Sequence, residues 1–82
     1  MKGYYRFNSG NYGTTHGYQE FCQVINKAEH FEDSWDCECF STNESKSFMD
    51  VIDSADIKEE WIKVSKKEFQ KYVILLRLKR TY

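Results

Sequence analysis

The chain predicts a small α+β fold, a mostly antiparallel sheet of three to four strands with two helices packed on it, over about 17–29 and 66–79. Three observations carry this. Eighty-two residues make a single domain, 1–82, because two would each be too small for an independent core. The apolar spacing switches between a period of two and a period near 3.6 along the chain. Six Tyr, six Phe and two Trp, 17 % of the residues, let so short a chain build a core from few side chains, and they argue against disorder.

The elements follow in order. Lys2 to Phe7 is rich in Tyr and Phe and reads as an opening strand. Asn8 to Thr15 carries two glycines, two asparagines and two threonines and reads as a loop. Tyr18, Phe21, Cys22 and Ile25 then fall at i, i+3, i+4 and i+7, the apolar stripe of a helix. Trp35 to Phe40 alternates apolar and acidic residues, which places Trp35, Cys37 and Cys39 inward and Asp36 and Glu38 outward on a half-buried strand. Phe48 to Ile52 reads as its hairpin partner, with a single helical turn as the alternative. Trp61 to Val64 reads as a short strand.

Ser65-Lys66-Lys67-Glu68 matches a capping box, in which the Ser hydroxyl accepts from the third helical amide. The helix it opens has Phe69, Tyr72, Val73 and Leu76 as its buried stripe. The apolar run Tyr72 to Leu76 leaves a terminal strand open as a second reading. The expected order is β-α-β-β-(β)-α, with the helices against one face of the sheet.

Charge is sorted along the chain. Residues 29–60 hold eleven of the thirteen carboxylates against two lysines, a net −9. From Trp61 onward seven Lys or Arg oppose Glu68 alone, a net +6, and the whole chain sums to −1. Such a partition gives a near-neutral protein a strong internal dipole, which steers partners before contact.

Several classes are disfavoured. No apolar run has membrane-spanning length, the first residues lack the apolar core of a signal peptide, and three cysteines do not make a closed disulfide framework. These features lead us to expect a cytoplasmic protein with no membrane association. Cys22, His30, Cys37 and Cys39 have the donor types of a zinc site. However, Cys37 and Cys39 are only one residue apart and Cys22 sits on an apolar stripe, so packing is expected, with no metal and no cofactor. No catalytic constellation is present, and a domain of this size has little room for a sheltered cleft, which argues against an enzyme. The loop from Gly10 to Tyr18, with two tyrosines and a histidine among glycines, lacks the spacing of a phosphate-binding loop.

The acidic band is the leading candidate. Carboxylates on alternate strand residues stand about 6.6–6.8 Å apart, close to the phosphate spacing along a nucleic-acid strand. Glu32, Asp33, Asp36, Glu38, Asp50, Asp53 and Asp56 are therefore the expected protein-binding residues. The expected activity is that of a nucleic-acid mimic, which binds and inhibits a host protein with a basic surface, such as a nuclease, another nucleic-acid-binding protein or a CRISPR effector. Absence of proline and abundant Lys, Asn, Tyr, Phe, Glu, Asp and Ser fit an AT-rich accessory gene of a phage or mobile element. That makes a viral protein with an anti-defence, anti-CRISPR inhibitor role the concrete form of this expectation.

The alternative is direct nucleic-acid binding through Lys63, Lys66, Lys67, Lys71 and Arg77, with Tyr12 from the loop. An isoelectric point of about 6.1 is low for that class. A third arrangement is a homodimer in which the acidic band of one copy meets the basic helix of the other.

Overall fold

The computed structural model describes residues 1–8, 19–42 and 44–80, the last five by backbone alone. Five strands form one sheet: β1 (Gly3–Phe7), β2 (Glu20–Lys27), β3 (Ser34–Ser41), β4 (Phe48–Asp53) and β5 (Trp61–Val64). The two helices are α1 (Ser54–Glu60) and α2 (Lys66–Arg80). The strand order is β4-β3-β2-β1-β5, and every neighbouring pair is antiparallel. The two edge strands β4 and β5 therefore run in the same direction, and α1 joins them. This is the α+β fold expected, with one strand more.

The helix expected over 17–29 is a correction. Residues 20–27 form the central strand β2, and the loop residues before Gln19 lie outside the described residues. The physical reason is two-sided burial. Phe21 faces one side of the sheet, while Cys22 and Val24 face the other, and all three are at most 3 % exposed. A strand buried on both faces is apolar at both parities, and i, i+3, i+4 matches then arise by coincidence.

Two cores divide the sheet into faces. On the first, Tyr5, Cys22, Val24, Cys37, Cys39 and Ile52 pack with Trp61 and with Ile57 of α1. On the second, Phe21 packs with Phe69 and Val73 of α2, flanked by Tyr4, Phe40, Val64 and Tyr72. Because side chains alternate along a strand, these clusters lie on opposite faces. The helices thus sandwich the sheet, whereas the sequence suggested that both lay on one side. We call the two sides the α1 face and the α2 face.

α1 was not anticipated. Asp53 caps it by accepting from the Ala55 amide at 3.0 Å, and Asp56 stands in its first turn, where the helix dipole favours a carboxylate. Trp35 Nε1 donates to Ser54 Oγ at 2.9 Å and ties the helix start to β3. The Ser65 cap of α2 is as expected: Ser65 Oγ accepts from the Glu68 amide at 3.1 Å, and the Phe69 amide donates to the Ser65 carbonyl at 2.9 Å. The Tyr72 to Leu76 run is helical, so the terminal-strand reading is set aside.

Candidate protein-binding surface

The site begins with the parity of β3. Trp35, Cys37 and Cys39 turn to the α1 face, so Asp36, Glu38 and Phe40 turn to the α2 face. α2 lies over β1 and β2, and among the described residues it reaches β3 at Phe40, whose ring meets Phe69 edge-on with centroids 5.7 Å apart. Stacking of Tyr72 on Phe21 (4.7 Å) and contact of Phe69 with Tyr4 (4.9 Å) fix the helix in that position. Among the described residues no element covers the β3–β4 half of the α2 face.

On that half the register sets carboxylates beside apolar side chains. Asp36 lies opposite Val51, and Glu38 opposite Met49. Met49 is 63 % exposed and Val51 41 %. Asn26 and Gln23 of β2 flank the carboxylates on the other side, where a bulge at Ile25 shifts the register. Ser47 Oγ donates to Glu38 Oε2 at 3.1 Å. Among the described residues no Lys or Arg forms an ion pair with Asp36 or Glu38. Among the described residues no ion pair therefore meets their charge, on a partly desolvated surface where Coulomb attraction is stronger than in bulk water. A shallow cleft of about 300 Å³ opens at the strand ends, lined by Asn26, His30, Phe31, Asp36 and Val51 among others. Lys27, Ala28 and Glu29 complete its lining, so two carboxylates and one lysine share it with the apolar Phe31 and Val51.

The other expected acidic residues are distributed differently. Glu32 and Asp33 lie in the β2–β3 turn, where Asp33 takes a left-handed backbone (φ 51°) and its carbonyl accepts from the Ser54 amide at 2.7 Å. Asp50 belongs to the α1 face, and its Oδ1 accepts from the Val51 amide at 2.9 Å, which blunts the free edge of β4. Asp53 is the α1 cap and Asp56 sits in the first turn. Only Asp36 and Glu38 share the uncovered surface with exposed apolar neighbours. Phe31, Met49 and Val51 were missed in the sequence reading. Both parities of β4 carry apolar residues, so no alternation marked which would be exposed.

The basic set also divides. Lys66, Lys67 and Lys71 are exposed on α2, while Lys63 is on the α1 side of β5, near Gly3. The side chain of Arg77 and all of Tyr12 lie outside the described residues.

Cys22, Cys37 and Cys39 are free thiols, all fully buried. Cys22 lies directly opposite Cys39. Hydrogen bonding to Cys37 and Cys39, reinforced by burial, pushes the Cys22 thiol far above its usual range. Burial, with Cys22 and Cys37 nearby, likewise raises the Tyr5 phenol, whose hydroxyl donates to the Met1 carbonyl at 2.9 Å. Among the described residues no group of three or more His, Cys, Asp or Glu is placed to hold a metal ion, and no helix is long and apolar enough to cross a membrane. Compared with protein-family models, curated proteins and solved structures, the chain matches none of them.

Proposed function

We propose that this protein is a binding module whose β3–β4 half of the α2 face engages the basic surface of another protein. In its concrete form the partner is a host nucleic-acid-handling protein, and occupation of its basic groove inhibits it. The observation that carries the reading is the pairing of Asp36 and Glu38 with exposed Met49 and Val51 on one uncovered sheet surface. Carboxylates steer the encounter, and apolar contact slows dissociation.

The test is capture of a partner by the wild-type chain and by Asp36→Lys/Glu38→Lys at physiological salt. Reversal of both charges is expected to lower affinity at least about tenfold, equivalent to about 1.4 kcal/mol. Met49→Ser is expected to speed dissociation with little effect on association. Undiminished capture by the double variant would overturn the proposal. A gel shift of nucleic acid by the purified chain at low salt, lost with Lys67→Glu/Lys71→Glu, would favour direct nucleic-acid binding instead.

A further inference from the structure

The α2 face is stepped. α2 forms a ridge about 10 Å high and wide over β1 and β2. Beside it the uncovered β3 and β4 make a shelf of two strands, about 10 Å wide at the usual strand spacing. The shelf is as wide as the ridge.

The ridge also has a second face. Phe69 and Val73 point to the sheet, and residues half a turn away point outward. Lys67, Lys71 and Ile74, at i, i+4 and i+7, form that outward stripe, with Leu75 beside it. Ile74 is 57 % exposed and Leu75 43 %. The outward face of α2 thus repeats the chemistry of the shelf with the sign of the charge reversed: two cations and two apolar side chains against two carboxylates and two apolar side chains.

We propose that the chain pairs with a second copy of itself about a two-fold axis, each α2 lying across the other's β3–β4 shelf. The two helices then lie side by side in a middle layer, each with its inner stripe on its own sheet and its outer stripe on the partner's. The arrangement is isologous, so it closes at two copies and leaves neither shelf empty. Pairing through the edge of β4 is disfavoured, because Asp50 Oδ1 already occupies the Val51 amide and adds a charge along that edge. The dimer uses the same carboxylates as the proposed partner site but does not depend on such a partner existing. A partner with a higher affinity would compete with the second copy for the shelf.

The test is sedimentation of the purified chain with a charge-reversed pair. Wild type is expected to show a monomer–dimer equilibrium that weakens as salt is raised. Asp36→Lys/Glu38→Lys alone and Lys67→Glu/Lys71→Glu alone are each expected to be monomeric. Mixing the two is expected to restore the dimer, because each reversed shelf then meets a reversed ridge. Combining all four substitutions in one chain is expected to restore it as well. Recovery on mixing also shows that neither variant is simply unfolded. Wild type that stays monomeric up to ~1 mM, the weak limit of specific association, would overturn the dimer. So would dimers unaffected by either double variant, or no recovery on mixing. A monomeric wild type that still captures a basic partner would overturn the dimer alone and leave the proposed function standing.

Discussion

Asp53 shows how one carboxylate can be claimed by structure. It closes β4, and its side chain takes the Ala55 amide that would otherwise be unsatisfied at the start of α1. Asp53→Ala is expected to cost about 1 kcal/mol in urea unfolding, whereas Asp53→Ser, which keeps a cap, is expected to cost much less. Equal losses would show that charge and not capping matters at this position. Asp33 is constrained by its left-handed backbone, which Asn also tolerates, so its charge is best removed as Asp33→Asn. Asp36 and Glu38 have no such backbone duty. This difference separates them from Asp33, Asp50 and Asp53.

At the scale of elements, pattern was legible where one face was buried and misleading where both were. β3 alternates cleanly because its α2 side is largely uncovered, so its inward and outward residues could be read directly. β2 at the centre could not, since Phe21 and Cys22 are neighbours in sequence and both buried. α2 was legible from its cap. α1 was not read because Ile57 is its one buried residue, although Asp53 and Asp56 already stood in the positions of cap and first turn. The uncovered shelf was not legible at all, because it depends on where α2 docks, a contact between distant parts of the chain.

The pairing of β2 with β3 also sets a pH dependence. The folded Cys22 thiol and Tyr5 phenol are both held above their ordinary values of 9.0 and 10.0. Between those values and their raised folded ones, the unfolded chain has lost protons that the folded chain keeps, so stability falls as pH rises. Cys37, which its hydrogen bond with Cys22 holds below 9.0, acts in the opposite sense and adds stability as pH rises towards 9, so the decline is expected above about pH 9. Cys22→Ala is expected to flatten the decline between pH 9 and 10 in a series of urea midpoints. An unchanged slope would remove Cys22 as its source.

At the scale of the molecule, charge sorted along the sequence becomes charge sorted across one face. The acidic middle segment supplies β3 and β4, the basic last segment supplies α2, and the sheet order sets ridge and shelf side by side. The partition therefore does not cancel within one chain, as it would had α2 docked over β3 and β4. In the two proposed complexes the same carboxylates would serve a foreign basic surface or a second α2, and concentration and affinity would decide between them.

The strand order has a kinetic consequence as well. β1, β2, β3 and β4 pair in chain order, but β5 must return to β1, where Val64 lies opposite Tyr4 sixty residues away. Closing that loop is entropically costly, so the β1–β5 seam is expected to form after the main folding barrier. Trp61, which meets Phe7 across the seam with centroids 5.3 Å apart, is a suitable probe. Trp61→Phe is expected to accelerate unfolding while leaving the refolding rate nearly unchanged in stopped-flow measurements. Slower refolding would instead place the seam in the nucleus. The last strand would then be the first thing the chain has to find.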